Sequence, residues 1–256
     1  MDKKLIKEIE QAVGEVKEIK LLPEQGCTSE VRKVITEKGT YLLKSATVLR
    51  YREWLQDEAQ VLKKLKEEQF ELVPKFYGFF EGELTSHLLM SYEDGETLTA
   101  ALQKATSPSE KEALIQNFGE FIQQLHETKL VHSFKREIDW LDEQLAVAEK
   151  YFYKGGTDGN LSLLEKIKAN RPDKMDKALI HGDCTTDNVL VVNNKASLFI
   201  DVAGMTIGDP RYDIALAIRK FYNDEVLLDA FYEGYKKYKI SKEEFDYFNH
   251  GLYEFF

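Results

Sequence analysis

The stretch from Ile180 to Asp213 restricts the fold of this chain more than any other part of its sequence. It reads IHGDCTTDNVLVVNNKASLFIDVAGMTIGDPRYD. Two apolar runs, Val189–Val192 and Ala196–Ile200, stand on either side of an Asn-Asn-Lys turn, which is the pattern of a β-hairpin. Asn188 precedes the first run and Asp201 follows the second. We therefore expect these two polar side chains side by side at one end of the hairpin.

Three side chains of this stretch suit the transfer of a phosphoryl group. Such a reaction needs a carboxylate that orients the attacking hydroxyl and accepts its proton, and Asp183 fits that role. It also needs oxygen ligands that hold Mg²⁺ against the β- and γ-phosphates of a nucleotide. Asn188 and Asp201 carry such oxygens, so we predict that they are the metal ligands.

The spacing of these residues resembles two related groups of enzymes. His-x-Asp followed by Asn, and then by Asp after a hairpin, is similar to the catalytic set of protein kinases. The glycine of His181-Gly182-Asp183 and the later residues resemble the aminoglycoside phosphotransferase and choline kinase superfamily more closely, especially its aminoglycoside 3′-phosphotransferase-type members. Those later residues are Asp201, Gly204, Gly208, Asp209, Pro210, Asp213 and Ala215. In that superfamily the histidine is structural, and we expect Asp213 to brace the helix it begins.

Apolar spacing predicts strands early in the chain and helices later. For example, Leu55, Ala59, Leu62 and Leu65 recur at helical steps of three or four. The expected helices are residues 3–20, Arg52–Glu68, parts of 98–149, Leu161–Ala169 and the stretch after Pro210. The expected strands are a hairpin over Val31–Leu43 that turns at Glu37-Lys38-Gly39, then Phe76–Phe80, His87–Ser91 and the segment Leu179–Asp201.

This order agrees with the fold that the resemblance implies. That fold is α+β and protein-kinase-like, with two lobes and a ligand-binding cleft between them. We expect a small N-terminal lobe with an antiparallel sheet, residues 1–93, which binds the nucleotide. We expect a larger, mostly helical C-terminal lobe, residues 94–256, which carries out catalysis and binds the substrate.

The resemblance also implies where the nucleotide binds. The loop over residues 24–30 would contact phosphate oxygens through its backbone N–H groups and through the hydroxyls of Thr28 and Ser29. Lys44 would bind the α- and β-phosphates, and Glu58 would hold its ammonium group. Glu53 and Asp57 are the alternative partners of the lysine.

The segment Leu88–Gly95 resembles the hinge that holds the adenine ring. The backbone of Ser91 and Tyr92 would pair with the edge of the base, and Met90 would lie at the back of the pocket. Strand alternation places Leu42 on the same face as Lys44, where it would give the base an apolar contact. The donor would be ATP or GTP, and the sequence leaves the choice between them open.

The acceptor is expected to be a small molecule with a hydroxyl group, and an aminoglycoside antibiotic is the first choice. By position, Asp224, Glu254 and the carboxylate of Phe256 would face its ammonium groups, and Arg219 would help to fix the terminus. Choline, a macrolide or a sugar-like metabolite remain alternatives. A nucleotide-binding regulatory module without turnover is the other reading.

Composition narrows the class of protein further. The formal net charge of −10 argues against a nucleic-acid partner, suits a cationic substrate, and also serves solubility. We expect a cytoplasmic protein, because no apolar run is long enough to cross a membrane.

The two cysteines form no metal or disulfide pattern. We expect thiol reagents to reach Cys184, next to Asp183, and Cys27, in the phosphate loop; the oligomeric state is left open.

Overall fold

The computed structural model describes residues 2–23, 25–129, 134 and 137–256. Its chain divides into two compact units. The first contains Met1–Gly95 together with Leu198–Gly204, and the second contains Glu96–Ser197 together with Met205–Phe256. The segment Leu198–Gly204 thus belongs to the first unit. The lobes expected from the sequence, residues 1–93 and 94–256, had placed it in the C-terminal lobe. No helix in the described ranges is long and apolar enough to cross a membrane.

The first unit is built on an antiparallel sheet. Its elements are α1 (Lys3–Val13), β1 (Val16–Leu21), β2 (Glu30–Thr36), β3 (Thr40–Ala46), α2 (Leu49–Glu67), β4 (Phe76–Glu81) and β5 (Ser86–Ser91). The strand order is β1-β2-β3-β5-β4. Ile9 of α1 packs with Leu43 and Leu89 of the sheet, and all three are fully buried. Because apolar burial is the main stabilising term, these contacts fix α1 on the sheet.

The helix expected over residues 3–20 extends beyond the observed one, Lys3–Val13. The helix ends at Val13, and Gly14 follows with φ 90°, a left-handed conformation that stops helices and that glycine adopts easily. Val16–Leu21 is instead the strand β1, which pairs antiparallel with β2. Its mixture of charged and apolar residues fits either element, and the pairing with β2 decides between them.

The hairpin expected over Val31–Leu43 is confirmed. β2 and β3 pair antiparallel, with Ile35 opposite Thr40, so the chain turns at the predicted residues 37–39. α2 follows and buries the predicted apolar face. The strands predicted at 76–80 and 87–91 are β4 and β5.

The second unit is mostly helical. Its elements are β6 (Glu96–Thr97), α3 (Leu98–Lys104), α4 (Pro108–Glu127), α5 (Trp140–Lys154), α6 (Leu161–Ala169), β7 (Ala178–Ile180), β8 (Val189–Val192), β9 (Lys195–Phe199), β10 (Thr206–Gly208), α7 (Pro210–Ile218), α8 (Glu225–Gly234) and α9 (Lys242–Asn249). A 3₁₀ turn, Leu252–Phe255, follows α9. The rings of Phe118 in α4 and Phe231 in α8 lie 6.0 Å apart inside its core.

The hairpin read from the sequence between Asn188 and Asp201 is present. β8 and β9 are neighbours in one sheet with β6. The turn residues Asn193 and Asn194 have φ values of 51° and 62°. Two successive residues at positive φ are the mark of a type I′ hairpin turn, and asparagine tolerates that conformation better than most residues.

The Gly-Asp-Pro element explains how α7 begins. Asp209 is the N-cap residue, and its carboxylate accepts a hydrogen bond from the backbone N–H of Arg211 at 3.0 Å. Pro210 occupies the first helical turn, where its fixed φ is favourable and its missing N–H is harmless. These residues start α7 at a defined point, which brings Asp213 into its first turn.

Candidate active site

A buried ammonium group stands among carboxylates in the first unit. The Nζ atom of Lys44, on β3, lies 2.8 Å and 2.9 Å from the two carboxylate oxygens of Glu58, on α2. It also contacts Oδ1 of Asp201. Both Lys44 and Glu58 are buried, whereas the side chain of Asp201 is 53% exposed. The structure therefore pairs Lys44 with Glu58, and not with the alternatives Glu53 and Asp57.

The charges of this cluster depend on one another. Burial by itself lowers the pKa of Lys44, but the attraction of Glu58 and then of Asp201 outweighs it and raises the pKa above its ordinary value. The lysine is therefore a permanent cation at neutral pH. A cation held in place by a buried carboxylate is the arrangement needed to bind phosphate oxygens.

Asp201 has an unusual backbone conformation. Its φ is 56°, in the left-handed region that non-glycine residues rarely adopt. It lies two residues after the end of β9 and directly precedes the 3₁₀ turn Val202–Gly204, which packs on α2. Strained backbone of this kind is often found where a side chain must point in one direction for function. Here it directs the carboxylate of Asp201 toward Lys44.

The loop predicted to cover phosphates connects β1 and β2. Thr28 is exposed in it and Ser29 is half-buried, while Glu24 lies outside the described residues. The side chain of Gln25 closes this loop, since its amide donates to the carbonyl of Leu22 at 2.6 Å and accepts from the N–H of Val31 at 2.8 Å. Sequence reasoning did not identify this role, because a glutamine in a loop has no distinctive local pattern.

The predicted hinge residues end strand β5. Met90 is buried and stands opposite Leu42 in the β3–β5 register, whereas Ser91 and Tyr92 are half-buried. The N–H of Ser91 donates to the carbonyl of Lys75 at 2.9 Å. Ser91 would therefore contact a base through its backbone carbonyl and not through this N–H. The sequence analysis had named only the backbone of Ser91, without choosing between the two groups.

In the second unit, a short loop between β7 and β8 carries His181, Gly182 and Asp183. Gly182 has φ 84°, a conformation that a residue with a Cβ adopts at a cost, and this accounts for the glycine between the two polar residues. The buried carboxylate of Asp213 accepts hydrogen bonds from the N–H groups of His181 at 2.7 Å and Gly182 at 2.9 Å. Asp213 is thus an architectural residue, but its carboxylate braces this loop and not the helix α7 that the sequence analysis named.

The side chain of Asp183 is held by its own loop. The amide nitrogen of Asn188 donates to Oδ2 of Asp183 at 2.8 Å and to its backbone carbonyl at 2.9 Å. The backbone N–H of Asp183 donates to the ring of His181 at 3.2 Å. Asn188 therefore orients the carboxylate of Asp183, while the buried ring of His181 holds the backbone of the same residue.

A buried network continues beyond Asp213. The ring of His126, in α4, lies 3.3 Å from Oδ2 of Asp213 and 2.9 Å from the hydroxyl of Tyr235. Because a carboxylate only accepts hydrogen bonds, we assign the ring proton to the nitrogen that faces Asp213. The sequence did not reveal this network, since its members lie 87 and 109 positions apart.

Tyr253 makes a further contact that the sequence analysis missed. Its hydroxyl donates to Oδ1 of Asp183 at 3.3 Å. The guanidinium of Arg219 lies 4.6 Å from the centre of the Tyr253 ring, within the range of a cation–π contact. Arg219, which was expected to fix the terminus, thus stacks on the residue that contacts Asp183.

The remaining predicted acceptor residues have identifiable local contacts. Asp224 is exposed and is the N-cap of α8, where its carboxylate accepts from the N–H of Leu227 at 3.1 Å. Glu254 is half-buried in the 3₁₀ turn, and its backbone carbonyl accepts from Gly159 at 2.9 Å. The ring of Phe256 packs edge-on against Tyr151 at 5.9 Å. Asp224 therefore has a structural role as a helix cap, in addition to the contact with substrate that the sequence analysis predicted.

Cys184 is not accessible in the way the sequence suggested. Its side chain is fully buried, whereas Cys27 is exposed. Burial first, and then the charges of Asp213 and Asp183, raise the pKa of the Cys184 thiol well above its ordinary value. Its position next to Asp183 in the sequence does not bring it to the surface, because neighbouring side chains of a loop can point in different directions.

Both side chains predicted to bind magnesium carry an oxygen of the kind that this metal accepts as a ligand. The amide nitrogen of Asn188 faces Asp183, an orientation that leaves its oxygen for another partner. Asp201 supplies a half-exposed carboxylate in the first unit. In the described part of the chain, no three His, Cys, Asp or Glu side chains form a group that could hold a metal ion. Magnesium requires no such group, because it takes one or two protein carboxylates and fills its shell with phosphates and water.

Curated proteins with related sequences include kinases for different acceptors. An aminoglycoside 3′-phosphotransferase from Enterococcus faecalis is 28% identical over 163 residues, which is 59% of this chain and 60% of that protein. A homoserine kinase from Neisseria meningitidis serogroup B is 33% identical over 94 residues, or 34% of this chain and 31% of that protein. The chain thus matches less than two thirds of the length of either relative.

Solved structures show the same fold. The aminoglycoside-3′-phosphotransferase of type VIII matches with a TM-score of 0.72 at 22% identity, over 92% of this chain and 93% of that one. Spectinomycin phosphotransferase in complex with ADP and spectinomycin matches with a TM-score of 0.65 at 15% identity, over 98% and 84%. The sequence profile of the phosphotransferase enzyme family matches residues 19–248. With the fold and nearly the whole sequence in agreement, this chain belongs to the phosphotransferase enzyme family.

Proposed function

We propose that this protein is a magnesium-dependent kinase that transfers the γ-phosphate of ATP or GTP to a hydroxyl group of a small molecule. The observation that carries the proposal is the carboxylate of Asp183, which Asn188 orients within a loop braced by buried Asp213. We assign nucleotide binding to residues 1–93, and catalysis and acceptor binding to residues 94–256.

On the nucleotide side, Lys44 binds phosphate oxygens. Glu58 holds the ammonium group in place, so little side-chain freedom is lost when the nucleotide binds. The loop that Gln25 closes presents Thr28 and Ser29 to the phosphates. Met90, Ser91 and Tyr92 contact the base. Bound ADP in the spectinomycin phosphotransferase supports a nucleotide as donor for this fold.

On the transfer side, Asp183 orients the acceptor hydroxyl and takes its proton as the oxygen attacks the γ-phosphorus. The transition state of such a transfer is loose, so the main task of this carboxylate is to position the hydroxyl. Asn188 and Asp201 would hold magnesium, which when bound neutralises charge on the transferring phosphate. Lys44 adds a fixed positive charge on the donor side.

The acceptor that the relatives favour is an aminoglycoside. Its ammonium groups would be attracted to carboxylates, of which Glu254 is the best placed, since it follows Tyr253 directly and is half-buried. Asp224 and the carboxylate of Phe256 are the further acceptor residues that we propose, with Arg219 positioned on the Tyr253 ring. Charged contacts of this kind weaken as salt rises.

A less cationic acceptor, such as a macrolide, is the second candidate. The observation in its favour is aromatic surface near the C-terminus, where Phe256 is 43% exposed and packs against Tyr151. Aromatic side chains give contact area to apolar ligands without needing a charge on them. Asp224, in contrast, is occupied as a helix cap.

The test is a screen for release of ADP and GDP in the presence of magnesium. The acceptors are aminoglycosides, macrolides, choline and methylthioribose, with Asp183→Asn as the matched inactive control. We expect one acceptor class to stimulate release in the wild type only. For an aminoglycoside, the acceptor KM rises between 0.1 M and 1 M salt, because the Debye length falls from about 10 Å to about 3 Å. A macrolide leaves that constant unchanged.

A further inference from the structure

The hydroxyl of Tyr253 is positioned where an acceptor hydroxyl has to bind. Asp183 has two carboxylate oxygens, and Oδ2 receives the amide of Asn188 at 2.8 Å. The other oxygen, Oδ1, receives the hydroxyl of Tyr253. A phenol and an alcohol are both O–H donors, so the tyrosine makes the same kind of contact with Asp183 that an acceptor alcohol would make.

The length of this contact indicates that it is easily exchanged. The two oxygens are 3.3 Å apart, whereas O–H···O hydrogen bonds have donor–acceptor distances of about 2.5–3.0 Å. An alcohol that reaches Oδ1 at about 2.7 Å makes the stronger bond. The tyrosine can therefore hold this oxygen against solvent and still give way to a substrate that is bound by further contacts.

Buried neighbours keep Tyr253 at this point. Leu252 and Phe255, on either side of it in the 3₁₀ turn, are fully buried. The N–H of Gly159 donates to the carbonyl of Glu254 at 2.9 Å, and a Cβ at Gly159 would come within 2.5 Å of the Phe255 ring. The backbone of the turn is thus fixed, and displacement of the hydroxyl requires only movement of the tyrosine side chain.

The protonation of Tyr253 agrees with a role as donor. Burial, and then the negative charge of Asp183, raise its pKa above the ordinary value, although Arg219 acts in the opposite direction. The phenol therefore keeps its proton at neutral pH. Arg219, stacked at 4.6 Å on the ring, holds the orientation of the side chain.

We propose that the hydroxyl of Tyr253 occupies Oδ1 of Asp183 until an acceptor displaces it, and that this contact suppresses hydrolysis of the bound nucleotide. The inference rests on the proposed kinase function and adds a control of that same site. Tyr253 is a positioning residue in this scheme, since it acts through Asp183 and does not react.

The suppressed reaction is hydrolysis of the nucleotide, in which water takes the place of the acceptor alcohol. When the phenol is absent, a water molecule donates to Oδ1 of Asp183. As its oxygen forms a bond to the γ-phosphorus, its proton passes to the carboxylate, and the bond between the γ-phosphorus and the bridging oxygen of the β-phosphate breaks. The products are nucleoside diphosphate and inorganic phosphate, and the proton of Asp183 returns to solvent.

The experiment measures phosphate release from magnesium–ATP and magnesium–GTP without acceptor. Tyr253→Phe keeps the ring on Arg219 and removes only the hydroxyl. We expect acceptor-independent hydrolysis to rise about 2- to 10-fold, the factor that corresponds to one ordinary hydrogen bond. The acceptor KM should fall by a similar factor, because the acceptor no longer competes with the phenol. Tyr253→Leu, which also removes the ring, should show the same rise in hydrolysis.

Two controls connect the effect to Asp183. Tyr238→Phe removes another phenol that donates to a carboxylate, Glu244 at 2.7 Å and 2.8 Å, and should leave hydrolysis unchanged. In the double variant Tyr253→Phe with Asp183→Asn, hydrolysis should return to the level of Asp183→Asn alone. A merely structural role of Tyr253 would lower activity and would not increase it.

The outcomes separate this inference from the kinase function. If the wild type phosphorylates an acceptor in an Asp183-dependent way but neither Tyr253 variant hydrolyses nucleotide faster, the inference is wrong and the kinase function stands. A rise that persists in the Asp183→Asn background also overturns it. If the wild type and Asp183→Asn release phosphate equally with every acceptor, the kinase function fails and this inference with it.

Discussion

The ion pair between Lys44 and Glu58 provides a test of the first unit that needs no substrate. Glu58→Leu removes the carboxylate and leaves the ammonium group of Lys44, itself only 9% exposed, without its buried partner. Lys44→Met leaves the carboxylates of Glu58 and Asp201 facing each other. Each single variant therefore creates uncompensated buried charge, whereas the double variant replaces the pair with apolar side chains.

The expected losses follow from the geometry. Removing one partner of a buried ion pair costs about 3–5 kcal/mol. Asp201 still contacts Lys44 in Glu58→Leu, which places that variant near the lower limit, about 3 kcal/mol. For a domain of this size, 1 kcal/mol corresponds to about 2–4 °C in Tm, so we expect a decrease of about 6–12 °C. The double variant should lose much less than the sum of the single ones, since apolar replacement of a buried pair is often neutral.

Denaturant unfolding of the four proteins measures this directly. Lys242→Met and Asp246→Leu, which remove an exposed i,i+4 pair, serve as the matched control and should leave the midpoint unchanged. A loss below about 1 kcal/mol for Glu58→Leu, the range of exposed pairs, would contradict the reasoning. The reasoning would also be contradicted if the double variant lost as much unfolding free energy as the two single variants together. Such additivity would mean that the two charges do not interact.

Three further predictions concern other parts of the molecule. One thiol should react with a bulky disulfide reagent at pH 7, and Cys27→Ser should remove that reaction. Burial and a raised pKa keep Cys184 as an unreactive thiol until the protein unfolds. Rapid labelling of Cys184 in the folded protein would refute this prediction. Asp213→Ala should destabilise the protein by about 3–5 kcal/mol in denaturant unfolding, since it leaves buried backbone donors unpaired. Asp187→Ala, which removes a half-exposed ion pair with Lys220, should cost under about 1 kcal/mol. Equal losses in the two variants would contradict the bracing role of Asp213. Asp201→Ala should weaken binding of magnesium–nucleotide much more than binding of metal-free nucleotide in calorimetry, and equal weakening would exclude Asp201 as a metal ligand.

The parts of the structure that the sequence predicted well are those set by local pattern. The β8–β9 hairpin depends on two short apolar runs and an asparagine turn, all within a dozen residues. The pairing of Lys44 with Glu58 was implied by the family resemblance, and it joins a strand to the helix that follows it in the chain. In both cases the chain between the two interacting parts is short, so few alternative arrangements compete.

Long-range contacts were not predictable in the same way. Tyr253 and Asp183 are 70 positions apart, and nothing in LYEFF distinguishes the tyrosine from the buried Leu252 and Phe255 on either side. Residues 16–20 were predicted as part of a helix because their local pattern fits two elements, and only the pairing of β1 with β2 selects the strand. Asp224, which we propose as an acceptor residue, is also the N-cap of α8, and the sequence analysis did not predict this second role.

The central claim is that Asp183 takes the proton of an acceptor hydroxyl during phosphoryl transfer. The most direct measurement follows the labelled γ-phosphate of ATP or GTP into the acceptor for the wild type and for Asp183→Asn, with nucleotide affinity measured on both proteins. We predict that the label appears in an organic phosphate ester, and that Asp183→Asn forms this ester about 10²–10⁴-fold more slowly than the wild type. The nucleotide affinity of the two proteins should be nearly the same. Transfer by Asp183→Asn within a few-fold of the wild type would contradict it.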